Sequence, residues 1–167
     1  MWWWLVVSKQ CGTCTKCCDG TTSVGGDIFG HIYGNGKPCH FLNLTEKKCG
    51  IYKDRPNDPC KTYKCMWLKY EDVPLWMKPE HSNIIVSSYS FKGRDFLILS
   101  AMGKDYSAKY LSYVINYAKN NNIPLMYEIG KGMVFLNEAD FFQNALQESE
   151  VFNAMRQVLT HGDTEIV

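Results

Sequence analysis

No cysteine follows residue 65 in this chain of 167 residues, although eight lie at or before it. Thiol chemistry is therefore confined to the N-terminal part. An excess of one charge is also lacking: 18 Lys and Arg stand against 17 Asp and Glu, a net charge of +1. That balance supplies no long-range pull on nucleic acid, so nucleic acid is not an expected partner. Lys47, Lys48, Lys53, Arg55 and Lys61 do lie close together among the cysteines. The run reads as a solvated face that also offsets thiolate charge.

Long apolar runs are missing as well. Residues 1–7 are apolar but too few to span a bilayer, which takes about 20 residues. The stretch has no basic leader, no longer apolar core and no small-residue cleavage site, so it does not read as a signal peptide. The expected location is cytoplasmic, where thiols stay reduced and clustered cysteines bind metal. Catalytic signatures are absent too. There is no nucleophile elbow, phosphate-binding glycine loop, HExxH or dinucleotide fingerprint. Glu128 and Glu138, like Asp95 and Asp105, give no acid–base spacing, and Gly130-Lys131-Gly132 reads as a hairpin turn. No catalytic residue is assigned, and the reading leans away from an enzyme.

What the chain does have is Cys11-Gly12-Thr13-Cys14-Thr15-Lys16-Cys17-Cys18, followed by Cys39, Cys49, Cys60 and Cys65. Thiolates are soft ligands that select zinc, copper(I) or iron–sulfur clusters. Two cysteines three apart can reach one ion without long loop closure. On a helix, Cys11, Cys14 and Cys18 would share an arc of about 60°, with Cys17 about 60° further round. The alternative for so many cysteines is a disulfide framework; spacing and compartment favour metal.

The rest of the chain predicts an α+β fold: a small Cys-rich, metal-stapled lobe, then an α+β region with two hairpins and two helices. Turns at Asp19-Gly20, Gly25-Gly26, 34–38, 43–48 and Arg55-Pro56 break residues 11–65 into short pieces. So little aliphatic content makes a poor core, and metal–ligand bonds would replace the missing burial. Asp27 to Tyr33 fits a short helix or strand, and Cys60 to Cys65 one helical turn. A boundary near Pro79 separates a Cys-rich region, 1–80, from an α+β region, 81–167. In the latter, runs at 83–91 and 95–101 flank Lys92-Gly93-Arg94 as a hairpin. Ala108, Leu111, Val114, Ile115 and Ala118 have helical spacing over 107–121. Runs at 125–129 and 133–136 form a second hairpin, and Asn137 is the expected cap of a helix from 138 to about 159.

The cysteine pattern resembles the zinc- or iron-chelating domain family known for its CxxCxxCC signature, over roughly residues 11–65. Cys11, Cys14, Cys17 and Cys18 stand as its opening motif. Cys39-His40-Phe41-Leu42 is similar to its Cys-x-x-Leu piece, Cys49-Gly50-Ile51-Tyr52-Lys53-Asp54-Arg55-Pro56 to its Cys-x-Ile-Tyr-x-x-Arg-Pro piece, and Cys60 to the cysteine that follows. Cys65 is not part of that pattern. The resemblance implies zinc or an iron–sulfur cluster such as [4Fe–4S], without choosing between them. Some relatives, such as flagellin lysine N-methylases, carry the signature within a longer enzyme. Members also occur in phage genomes, and a phage-encoded chain would belong to a virion.

The expected metal ligands are Cys11, Cys14, Cys17, Cys18, Cys39, Cys49, Cys60 and Cys65, with Cys17 and Cys65 the weakest members. Most sulfurs of Cys11, Cys14, Cys18, Cys39, Cys49 and Cys60 should converge on one centre. A closed zinc site or a [4Fe–4S] cluster takes four ligands, so either some thiols are spare or there are two centres. Adjacent Cys17 and Cys18 are expected to diverge, one of them buried as a small hydrophobe. His40, Tyr52 and Arg55 are candidate supporting residues. The favoured role is structural, in a protein that acts through protein–protein interaction or assembly; the alternatives are a metal-dependent enzyme and a redox or electron-transfer protein. Trp2, Trp3 and Trp4 are the candidate interface. Three adjacent side chains on a strand cannot face one way. Each tryptophan buries roughly 150–250 Å², so either the chain's own core or a partner should cover them.

Overall fold

The computed structural model describes residues 9–22, 25–100, 107–129, 132–138, 140–142 and 144. In chain order the elements are β1 (Gly26–Ile28), β2 (His31–Tyr33), β3 (Leu42–Asn43), β4 (Lys48–Cys49), a kinked helical turn at Asn57–Lys61 and β5 (Lys64–Cys65). These are followed by α1 (Met66–Lys69), a tight turn at Leu75–Met77, α2 (Pro79–Ser82), β6 (Ile85–Phe91), β7 (Arg94–Ser100), α3 (Ala108–Asn120), β8 (Leu125–Ile129) and β9 (Gly132–Leu136). Helices and strands are both present, as the α+β reading requires.

The short strands close through turn chemistry. Ile28 pairs with His31 across Phe29-Gly30, and Phe91 with Arg94 across Lys92-Gly93. All four turn residues have positive φ, which matches the right-handed twist of the strands they join. Asp27 to Tyr33 is thus neither one helix nor one strand but part of a two-stranded hairpin. Between β3 and β4, the Asn43 Oδ1 accepts from the backbone N–H groups of Thr45 and Glu46, folding the loop back on itself.

Both expected hairpins of the C-terminal part form. The sequence did not show how they join. β7 and β8 pair in parallel, with Leu97 opposite Leu125, and α3 makes the crossover. The result is one five-stranded sheet in the order β5-β6-β7-β8-β9. Its two faces bury different residues. Leu97, Leu99, Leu125 and Tyr127 pack with Val114, Tyr117 and Ala118 of α3, while Phe96, Ile98 and Met126 pack with Phe142 on the other face.

The main core also crosses the boundary expected near Pro79. Cys65, Met66, Trp67, Val73 and Met77 are buried together with Ile84, Leu97 and Leu125. Cys65 sits on an edge strand opposite Ser87 rather than at the end of a helical turn; the turn closes earlier, at Asn57–Lys61. Asn137 does not cap a following helix. Its φ is 58°, outside the extended geometry of an N-cap, and its Nδ2 donates to the carbonyls of Ala118 and Ile123 at the end of α3. Residues 140–142 and 144 are helical, and the rest of the expected last helix lies outside the described residues. Trp2, Trp3 and Trp4 lie outside them as well. Among the described residues no helix is long and apolar enough to cross a membrane.

Candidate metal centre

The opening motif is a run of turns rather than a helix. The Cys14 N–H donates to the Cys11 carbonyl at 3.0 Å, and the Cys18 and Asp19 N–H groups donate to the Thr15 carbonyl at 2.7 and 2.9 Å. Gly12, at φ 58°, permits the first turn. Asp19 then seals the second: its carboxylate accepts from the Thr21 N–H and hydroxyl and pairs with Lys16. All eight cysteines carry free thiols.

Other pieces are laid against this turn by backbone bonds. The Cys39 N–H donates to the Cys18 carbonyl at 2.7 Å. The Gly36 N–H donates to the Gly20 carbonyl, and the Asn35 N–H to the Thr22 carbonyl. Gly20 is required at that crossing. Its φ is 91°, and a Cβ there would stand 2.9–3.0 Å from the backbone of Gly36 and Lys37. From Cys39 the chain turns to Leu42, which pairs with Cys49 across the β3–β4 hairpin. Cys60 follows in the turn at Asn57–Lys61.

The adjacent thiols do not diverge as expected. Cys17 Sγ and Cys18 Sγ lie 3.5 Å apart and share a hydrogen bond, while Cys17 also packs against the main apolar core. With Cys17 as donor, that bond holds the Cys18 thiol below its usual range, and the Arg55 guanidinium acts the same way. The same bond and burial push Cys17 well up, helped by negative charge at Cys18, Cys11 and Cys14. Burial raises Cys11, Cys39 and Cys60. Thiolate charge adds to each: from Cys14 and Cys18 at Cys11, from Cys18 and Cys49 at Cys39, and from Cys18, Cys39 and Cys49 at Cys60. Cys65 is pushed up to about 11, chiefly by burial and further by Cys11 and Cys14. Cys17 and Cys18 are the two thiols in direct contact.

Neighbouring is not ligation. Among the described residues no group of three or more His, Cys, Asp and Glu side chains is already gathered closely enough to hold a metal ion. The convergence expected of six sulfurs is therefore not what the side chains adopt. The donor chemistry nevertheless fits a soft centre: every thiol is free, and Arg55 lies within electrostatic reach of Cys11, Cys18 and Cys60, where it favours the thiolates.

The three supporting residues fall differently. Arg55 stacks on the Tyr52 ring, with its guanidinium carbon 3.8 Å from the centroid, and its buried Nε has no hydrogen-bond partner among the described residues. Tyr52 itself is 64% exposed. His40 is exposed and stacks on His31, centroids 3.9 Å apart, with Phe41 edge-on to both. It thus belongs to an aromatic cluster on the surface.

Sequence reasoning missed the phenols behind the thiols. Tyr63 shares a 2.8 Å hydrogen bond with Ser87, and burial raises its phenol well above the ordinary value. Burial likewise raises Tyr33, with Cys60, Tyr89, Cys18 and Cys17 adding to it. The signal for Tyr63 was present: it stands two residues before Cys65, and alternate residues of an extended piece share a face. Nothing local marks Tyr33. The chain matches no protein-family model, and no curated protein or solved structure is significantly similar to it.

Proposed function

We propose that residues 11–65 hold a soft metal centre, zinc or an iron–sulfur cluster, through the cysteines of a CxxCxxCC-type pattern. Its role in this reading is structural: it makes a small stapled lobe of a segment that cannot fold by burial, and the protein acts as an interaction or assembly component. The observation that carries the reading is eight free thiols within residues 11–65, with the Cys17 and Cys18 sulfurs 3.5 Å apart and the Cys39 N–H bonded to the Cys18 carbonyl. The interaction role is supported by large apolar side chains left open on the same segment: Phe29, Ile32, Leu44 and Tyr52 are each 59–64% exposed. Trp2, Trp3 and Trp4 are candidate anchors in this reading, and deleting residues 2–5 should weaken association more than it weakens the fold.

One observation favours a second reading, in which the centre reacts. Cys18 combines a lowered thiol with a guanidinium in reach, the environment of redox-active and nucleophilic cysteines. A redox protein or a metal-dependent enzyme would use it. Elemental analysis and a visible spectrum of the anaerobically purified chain decide between the forms. A colourless protein with stoichiometric zinc supports the structural reading, and visible charge-transfer absorption with iron and sulfide supports a cluster. A metal-free chain would overturn both.

A further inference from the structure

The five-stranded sheet ends differently at its two edges. At one edge stands β5, only two residues long and carrying exposed Lys64, and both features hinder pairing with another strand. At the other stands β9, five residues long, with no charge and no proline. Among the described residues, β9 pairs with β8 alone. We propose that the outer edge of β9 is a dimerisation edge, on which β9 of a second copy lies antiparallel about a two-fold axis at Val134. The inference goes beyond the metal-binding reading and does not depend on it; it names one partner for a protein that acts by interaction.

The direction of the open backbone groups follows from the register. The Leu97 N–H donates to the Pro124 carbonyl at 2.8 Å, so Pro124 turns its carbonyl toward β7. Each residue of a strand sends its N–H and C=O to one side, and the next residue sends them to the other. Pro124, Met126 and Glu128 therefore face the β7 side, and Leu125, Tyr127 and Ile129 face β9. The partners of these last three are Leu136, Val134 and Gly132. Their backbone groups are taken up by β8. The N–H and C=O of Met133 and Phe135 are left directed outward, symmetrically about Val134.

A second copy answers those groups by symmetry. With the axis at Val134, Met133 of each copy stands opposite Phe135 of the other, and each such pair exchanges both N–H···O=C bonds. The side chains agree with this pairing. In one copy Phe135 is 38% exposed and Met133 partly exposed. Set opposite each other, they place a thioether against an aromatic ring on either side of the axis. Val134 meets its own copy in a β-branched pair. No like charges are brought together, because β9 has none, and a net charge of +1 leaves two copies little mutual repulsion. A strand from another protein would have to supply this complementarity, whereas β9 carries it toward itself.

Pairing at β9 joins two sheets at the edges remote from β5. The Cys-rich segments, which lead into β5, stay free at the two ends of the joined sheet.

The test is sedimentation of the full chain over a dilution series, with hydrogen exchange at the highest and lowest concentrations. A dimer that dissociates on dilution is expected. The amides of Met133 and Phe135 should gain protection with concentration, while those of Tyr127 and Val134, already bonded within the sheet, should not change. Met133→Pro removes an outward donor and no bond to β8, so it should return the chain to single copies with the sheet intact. Phe135→Lys puts a charge on the edge and should do the same. A chain that stays single at every concentration would overturn the proposal. So would a dimer that survives both substitutions, or one lost only when residues 2–5 are deleted, which would assign association to the tryptophans. Should either variant fail to fold, the exchange of the unaltered chain decides: protection at Met133 and Phe135 that ignores concentration rejects the edge.

Discussion

Residues 9–63 and residues 64–142 are held together by different physics. The second stretch buries nearly the whole apolar core: Met66, Ile85, Phe96, Leu97, Leu125, Met126 and Phe142 are all 1% exposed or less. In the first, the buried hydrophobic side chains among the described residues are Ile28 and Cys39. The first stretch is nonetheless ordered by turns, Asx bonds and backbone crossings, and it carries seven of the eight thiols. Backbone hydrogen bonds contribute only about 1 kcal/mol each against the cost of ordering the chain. In the proposed reading a thiolate-bound metal supplies the stability that so little burial leaves wanting. The sheet needs no such support.

The largest expected effect separates the two directly. Leu97, fully buried between β6 and β8, should cost about 2–5 kcal/mol when changed to Ala. Chemical denaturation should show that loss, while the metal content of the folded protein stays unchanged. Equal loss of metal would mean that the thiol segment depends on the sheet for its order.

Alkaline titration probes the sheet side next. Burial raises the Tyr89 phenol from 10.0 to about 12. A folded-state value above the unfolded one means the folded protein holds its proton more tightly, so the stabilisation is complete below pH 10.0 and is lost as pH rises through about 12. The loss should be roughly 2–3 kcal/mol from Tyr89, read as a falling denaturation midpoint. Tyr89→Phe should reduce that fall; an unchanged profile would assign the alkaline loss to other groups.

Gly20→Ala strikes the other side. Positive φ and a backbone at 2.9–3.0 Å should cost about 1–3 kcal/mol locally and shift the 34–38 loop that precedes Cys39. Metal should be released more readily to a chelator, with the thermal transition of the sheet little changed. A smaller effect is expected at the contact between the two stretches. Glu80 bonds Lys78 and accepts from Thr13 of the cysteine turn, and the Lys78 bond lowers its carboxyl. Glu80→Gln should cost less than about 1 kcal/mol, as partly exposed ion pairs do.

The legibility of the sequence divides along the same line. β-rich runs and the Lys92-Gly93-Arg94 turn disclosed β6 and β7, and helical spacing placed α3 within a residue at each end. Those signals are local, because strand and helix periods are set by each element's own burial. The parallel pairing of β7 with β8 is a long-range choice that leaves no mark on either strand, so two separate hairpins were expected where one sheet exists. The same limit hid the core shared by Met66, Trp67 and Val73 with the sheet, because Pro74 and Pro79 look like a boundary. Among the thiols, spacing disclosed the candidate set, but not that Cys17 and Cys18 would lie side by side or that Cys65 would sit in the core.

Hydrogen exchange of the full chain, with and without a chelator under reducing conditions, tests the central claim most directly. Removing metal should strip protection from amides of residues 11–63, including the Cys18 and Cys39 N–H groups, and leave β6, β7, α3 and β8 protected. Equal loss in both stretches, or no loss in either, would contradict the claim that one is held by its thiols and the other by its core.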